Sequence, residues 1–187
     1  MQKVRIIAGS LRGRNIVFPD IEGLRPTLGR VRETAFAWLD PYIIGSKCLD
    51  MFAGSGAMGF EAISRGASEV VMLEKHDKIA AAILSNKQKF NVDNLTLLNS
   101  DYEQVLEDLL QIGPFDIVFL DPPFINNIIP SILDWLDYNK LLKNNSLIIC
   151  EWGLQFSPNF PKIYSTKKLK RAGKVNYALL EYEKLGE

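Results

Sequence analysis

Asp121-Pro122-Pro123-Phe124 follows directly on the apolar run Phe115 to Leu120, and well upstream the chain reads Leu49-Asp50-Met51-Phe52-Ala53-Gly54-Ser55-Gly56-Ala57-Met58-Gly59. An amine conjugated to a ring is a poor nucleophile because its lone pair is delocalised. A catalyst for such an amine must hold its protons with acceptors and aim the lone pair at an electrophile. The Asp121 carboxylate and the Pro122 carbonyl are two such acceptors. Consecutive prolines fix φ near about −65° and bring no competing N–H, so that carbonyl stays in one place. Phe124 is placed to stack on a nucleobase taken out of its helix. The plainer alternative is a strand-to-loop turn, but in an open α/β sheet the carboxyl end of a strand is where ligands bind.

The upstream segment fits G-x-G-x-x-G over Gly54 to Gly59, and Glu74 stands twenty residues beyond Gly54 at the end of the next apolar run. That spacing suits a carboxylate accepting from both hydroxyls of a ribose. Asp50 argues against a dinucleotide, because its charge lies where a pyrophosphate would lie and would repel it. The same charge suits a cofactor carrying an ammonium and a sulfonium, S-adenosylmethionine (spent as S-adenosylhomocysteine). Gly54 and Gly56 let backbone approach that ligand without a Cβ. Asp101 is positioned to accept from an adenine amino group, with Tyr102 along the ring, although Ser100 or Asp101 also reads as the N-cap of the next helix. Phe52, Ser55 and Lys75 complete the expected cofactor-binding set. His76, the single histidine, reads as a solvent-side loop residue.

The net charge is zero, with 22 basic and 22 acidic residues, but the charges are segregated. Residues 1–32 hold seven Lys/Arg against Asp20 and Glu22, residues 33–161 hold eight against seventeen acids, and residues 162–187 hold seven against three. A polyanion would be met by the two ends together. The candidate phosphate contacts are Arg12, Arg14, Arg25, Arg30 and Arg32 near the start and Lys167, Lys168, Lys170 and Arg171 near the end. Each cluster alone also reads as a solvated face.

These residues need elements to position them. The opening reads as a hairpin, Val4–Ile7 and Asn15–Phe18, joined through Gly9 to Arg14. A helix is expected from about Arg30 to Leu39, with Val31, Thr34, Ala35 and Trp38 at helical spacing and Asp40-Pro41 ending it. Strands at 47–52, 69–74, 95–99, 115–120 and 146–151 then alternate with helices near 57–65, 77–91, 101–111 and 128–138. Continuous apolar strands such as Val70-Val71-Met72-Leu73 imply a parallel sheet covered on both faces. Residues 163–169 and 175–182 read as an antiparallel hairpin closing one sheet edge. The expected fold is a Rossmann-like α/β domain with a seven-stranded, mostly parallel sheet and a short N-terminal β-hairpin extension.

With 187 residues and 47% apolar content, the chain can bury a sizeable core. We expect a single domain over 1–187, comprising a basic extension at 1–32 and a cofactor-binding core at 33–187. No apolar stretch approaches the roughly 18 residues of a membrane span, and the N-terminus lacks a signal-peptide block, so a cytoplasmic location is expected. A monomer is the expected state, although nothing in the residues specifies it. Cys48 and Cys150 sit in strand-like runs and read as buried reduced thiols, and no metal-ligand spacing is present.

Four segments in order resemble the RsmD family of bacterial 16S ribosomal RNA guanine-N2 methyltransferases. They are Arg5-Ile6-Ile7-Ala8-Gly9 with Arg12-Gly13-Arg14, Leu24-Arg25-Pro26-Thr27 with Arg30-Val31-Arg32-Glu33-Thr34, Leu49 to Gly59, and Asp121 to Phe124. The last is shared by many amino methyltransferases, whereas the arginine-rich opening joined to Arg-Val-Arg-Glu-Thr is closer to this one family. Gly29 stands where an acid is expected, which removes a candidate ion pair from that loop. The resemblance implies a class I methyltransferase fold, S-adenosylmethionine as donor, and a guanine of 16S ribosomal RNA as target within a partly assembled 30S subunit. From the residues alone, an adenine-N6 methyltransferase, a noncatalytic assembly factor that binds RNA, and an NAD enzyme remain alternatives.

Overall fold

The computed structural model describes residues 1–21, 29–123 and 127–184, so Arg25 and Phe124 lie outside the described residues. The chain opens with an antiparallel hairpin, β1 (Gln2–Arg5) and β2 (Asn15–Phe18), followed by α1 (Gly29–Leu39). An alternating segment follows: β3 (Lys47–Asp50), α2 (Ala57–Ser64), β4 (Glu69–Leu73), α3 (Asp77–Phe90), β5 (Leu95–Leu98), α4 (Leu106–Ile112), β6 (Phe115–Leu120), α5 (Ile129–Tyr138) and β7 (Leu142–Gly153). The hairpin β8 (Tyr164–Ala172) and β9 (Val175–Tyr182) ends the described chain.

The seven-stranded sheet runs β5-β4-β3-β6-β7-β9-β8, parallel from β5 to β7, with β9 antiparallel to both its neighbours. This is the architecture expected from the sequence. The chain builds outward from β3 to β5, then crosses back to lay β6 on the other side of β3. The crevice above β3 and β6 is therefore the topological switch point, where open α/β sheets bind ligands. Val70 to Leu73 and Ile117 to Leu120 are buried because each sheet face has its own cover. One face packs Phe36, Phe60, Ile83 and Phe119 together, and the other packs Leu49, Leu73, Val118, Leu120 and Leu133.

Local signals account for the helices. α3 carries Asp77 in its first turn and Lys87 and Lys89 in its last, complementing the helix dipole, and ends on Asn91 at φ 55°. α1 turns Val31, Ala35, Phe36 and Leu39 inward, and its buried set also includes Arg32, while Trp38 is only half-buried.

Two expectations are corrected. The first strand spans Gln2–Arg5, because Ile7 and Ala8 turn their N–H groups to the Glu61 carboxylate at 2.8 and 3.0 Å and so leave the ladder. The expected helix over 101–111 is a 3₁₀ turn at Tyr102–Gln104 followed by α4 from Leu106. Neither element has a side-chain cap: the Ser100 hydroxyl bonds Gln104 Oε1 and Asp101 pairs with Lys75. No helix among the described residues is long and apolar enough to cross a membrane.

The opening segment is docked onto the sheet domain through α2 and α3. Besides the two bonds to Glu61, Ser10 N donates to the Ser64 carbonyl at 2.7 Å and Leu11 N to Ser64 Oγ at 2.9 Å, while Ser64 Oγ donates to the Ala8 carbonyl. A Cβ on Gly9 would lie 1.7 Å from the Ser64 carbonyl oxygen, so only glycine permits this approach. Asn86 of α3 brackets Val17, accepting from its N–H at 3.0 Å and donating to its carbonyl at 2.7 Å. The Arg-Ile-Ile-Ala-Gly motif is thus, in the first place, a docking strap.

Candidate active site

Asp50 ends β3, and Asp121 follows the last residue of β6. In the β3–β6 ladder Asp50 stands opposite Phe119, and in the β6–β7 ladder Leu120 stands opposite Cys150. One step further, Asp121 comes level with Glu151 of β7. The alternation of side chains puts Asp50, Asp121 and Glu151 on the same sheet face as Cys48, Phe119 and Ile149. Three carboxylates from three adjacent strands therefore meet at the switch point.

Their environments differ. Asp50 is buried, and its Oδ2 accepts from Gly59 N at 3.2 Å. Gly59 is the third residue of α2, whose N-cap Gly56 has no side chain to offer, so Asp50 caps that helix from the neighbouring strand. Burial pushes the Asp50 carboxyl up to about 7, against the pull of the Gly59 N–H and with help from the fields of Asp121 and Glu74. Glu151 is buried too, and its carboxyl is raised well above the usual range, first by desolvation and then by Asp121 and Asp50. Its Oε1 has no hydrogen-bond partner among the described residues. Asp121 is half-buried, Pro122 buried and Pro123 exposed.

The glycine loop sits over β3 and β4. Gly56 has φ 77° and ψ 12°, a left-handed conformation that an L side chain adopts only with strain, and a Cβ there would lie 3.0 Å from the Phe60 ring. Glu74 closes the loop from β4: its Oε2 accepts from Gly54 N at 2.9 Å and its Oε1 from His76 N at 2.8 Å. Burial raises its carboxyl, opposed by those two bonds. Next to it Lys75 Nζ lies 3.6 Å from Asp101 Oδ2. The Tyr102 ring meets Phe52 edge-on at 6.2 Å and Trp135 of α5 at 5.1 Å, forming an aromatic wall. Phe52, Gly54, Ser55, Gly56, Glu74, Lys75, Asp101 and Tyr102 thus fall along the carboxyl edge of β3, β4 and β5 or the loop after it.

The basic residues divide. The turn between β8 and β9 lies level with Gly153 at the carboxyl end of β7, so Lys170 and Arg171, both exposed, stand at the same edge as Asp121. Lys168 is exposed further along β8, and Lys167 is ion-paired with Glu181. Arg30 is exposed at the start of α1. Arg12 is exposed on the docked loop, and Arg14 donates to the Phe90 carbonyl at 3.3 Å, at the far end of α3. A 14-residue helix is about 20 Å long, so Arg14 is well removed from the carboxylates. The expected phosphate contact at Arg32 is corrected: its side chain is buried and Nη2 donates to the Arg5 carbonyl at 2.6 Å, clamping β1. The helical spacing that buries Val31, Ala35 and Phe36 carries Arg32 inward with them.

Trp135 and Glu151 were not anticipated, nor was the bond from Gly59 N to Asp50. Glu151 had a legible signal, an acid ending the apolar run Leu147 to Cys150 as Asp50 and Asp121 end theirs. Trp135 had none, since only the packing of α5 brings it to Tyr102.

Residues 4–181 match the family model described as Conserved hypothetical protein 95. The chain is 39% identical over 187 residues to ribosomal RNA small subunit methyltransferase D of Escherichia coli K12, covering 99% of this chain and 93% of that protein. It is 41% identical over 181 residues to the protein of the same name from Haemophilus influenzae, covering 96% and 94%. A solved structure from Escherichia coli aligns with a TM-score of 0.86 at 36% identity, covering 97% of this chain and 99% of that one. The chain belongs to the Conserved hypothetical protein 95 family, that of ribosomal RNA small subunit methyltransferase D.

Proposed function

We propose that this protein is an S-adenosylmethionine-dependent methyltransferase that methylates the exocyclic N2 amine of a guanine in 16S ribosomal RNA, in an assembled or partly assembled small subunit. The observation that carries the reading is the carboxylate cluster of Asp50 and Asp121 beside a glycine loop at the switch point, in a chain whose relatives are named for methyl transfer to small-subunit RNA. The residues fit the donor: concentrated negative charge favours a cation, and the loop at Gly54 to Gly56 offers backbone without side chains.

S-adenosylmethionine would supply here an electrophilic methyl on a sulfonium, with neutral thioether sulfur as the leaving group that keeps the bonding electrons. Asp50 would face the methionine end, the Glu74 carboxylate would take the ribose hydroxyls in exchange for its backbone bonds, and Asp101 and Tyr102 would border the adenine. The Asp121 carboxylate and Pro122 carbonyl accept the two amine protons, which aims the lone pair. Asp121 then takes the proton released on methylation and passes it to water. Phe124, outside the described residues, is the candidate to stack on the flipped base. Arg30, Lys168, Lys170 and Arg171 hold phosphates near the site, and Arg12 and Arg14 hold RNA further along.

The test is transfer from labelled S-adenosylmethionine to unmethylated small subunits, with naked 16S RNA and DNA alongside, followed by nucleoside mass spectrometry. N2-methylguanosine from the subunits is expected. Methyladenine, or no transfer to any of the three, overturns the reading. Asp121→Ala abolishes transfer while S-adenosylhomocysteine affinity is retained, and turnover in that variant removes Asp121 from its role.

A further inference from the structure

Asp121 and Asp50 have roles in the proposed reaction, but Glu151 does not, although it is the most conspicuous polar group near them. It is 3% exposed, yet Oε1 has no donor among the described residues. Leaving a buried carboxylate oxygen without a partner is costly, and such groups are kept where something arrives to satisfy them. Its position says what arrives. Across the sheet the acids stand in the order Glu74 after β4, Asp50 on β3, Asp121 after β6 and Glu151 on β7. With the donor over β4 and β3 and the amine at Asp121, the next strand lies on the substrate side. Glu151 is therefore the acceptor beyond the reacting amine.

Resting on that reading of the site, we propose that Glu151 is a specificity-determining residue whose Oε1 accepts the N1–H of the flipped guanine. In guanine the N2 amine adjoins a ring N–H, whereas in adenine the N6 amine adjoins a bare ring nitrogen with a lone pair. An ionised carboxylate attracts the first and repels the second. The same group thus explains how one Asp-Pro-Pro arrangement, suited to either amine, is confined to guanine. A buried polar acceptor is an efficient discriminator, because the wrong ligand leaves it unpaired. The positive charge of a bound sulfonium favours the ionised form, in which Oε1 can only accept.

The experiment uses small subunits reconstituted with RNA carrying, at the mapped target, either guanine or 2-aminopurine, which keeps the 2-amine but has an unprotonated N1. The wild-type enzyme should prefer guanine by tenfold or more in kcat/KM. Glu151→Gln, whose amide can donate to N1, should reduce that ratio to about threefold or less, with S-adenosylhomocysteine affinity unchanged and no loss of Tm. A wild-type enzyme that methylates both bases equally overturns the proposal whatever the variant does, and so does a preference that Glu151→Gln leaves intact. These outcomes leave the guanine-N2 reading standing, whereas a wild-type enzyme that makes no N2-methylguanosine overturns that reading and the role of Glu151 with it.

Discussion

Glu61→Ala tests how the basic opening segment is held. Glu61 is fully buried, and its two oxygens accept from Ile7 N at 2.8 Å, Ala8 N at 3.0 Å and Arg65 Nε at 2.8 Å. Truncation leaves two backbone donors and one guanidinium without their acceptor. A buried donor left unpaired costs about 1–3 kcal/mol. Arg65 is 15% exposed at its side chain and keeps Asp40 at 3.9 Å, so it recovers part of its loss. The sum is about 3–5 kcal/mol, in the range for removing one partner of a buried ion pair. For a domain of this size each kcal/mol shifts Tm by about 2–4 °C, so a fall of roughly 10 °C is expected. Urea unfolding gives the free energy, and limited proteolysis shows whether the hairpin detaches before the sheet domain. Glu61→Gln keeps the shape but turns an amide N–H toward a donor, so an intermediate loss is expected. A loss below about 1 kcal/mol in Glu61→Ala would refute the docking argument, since it would mean those donors find water or other partners without penalty.

The remaining predictions concern the site. Asp50 has a folded pKa of about 7 against an unfolded value of 3.8, so the folded protein binds a proton that the unfolded chain has released. Its contribution to stability is fully present below about pH 4 and is lost as pH rises through 7, and Glu74 and Glu151 are shifted in the same direction. The Tm of the cofactor-free protein should therefore fall between pH 5.5 and 8, and Asp50→Asn should flatten that fall; a Tm that rises over this window contradicts the assignment. Gly56→Ala should cost about 1–2 kcal/mol for its left-handed backbone, more with the Phe60 contact, and weaken S-adenosylhomocysteine binding in calorimetry. Unchanged affinity would detach the loop from the cofactor. Reversing Lys170 and Arg171 to Glu should reduce the log-log salt dependence of RNA binding by about 0.7 per lost phosphate contact on single strands. An unchanged slope would mean the β8–β9 tip does not touch RNA.

Asp50, Gly54 to Gly56, Glu74, Asp101 and Asp121 were legible in the chain because each ends or follows an apolar run, and in a parallel sheet every such end faces one edge. The sheet itself was legible for the same reason, since uninterrupted runs such as Val70 to Leu73 have no polar face to show to water. The chain also carried the segregation of charge to its two ends. What it could not carry was reach and side. Arg32 reads as one more arginine in a basic segment until the burial of α1 takes it to the Arg5 carbonyl. Arg14 and Arg171 look alike in sequence, yet the docking of the hairpin on α3 puts one at the far end of a helix, and antiparallel pairing of β8 on β9 and of β9 on β7 puts the other beside the site. Glu151 acquires meaning only when the crossover from β5 to β6 brings β3, β6 and β7 side by side. Strand alternation is a local property and fixes which face a residue takes, whereas neighbourhood across strands depends on how the chain crosses the sheet. Tertiary structure alone decided that three acids, 71 and 30 residues apart along the chain, share one crevice.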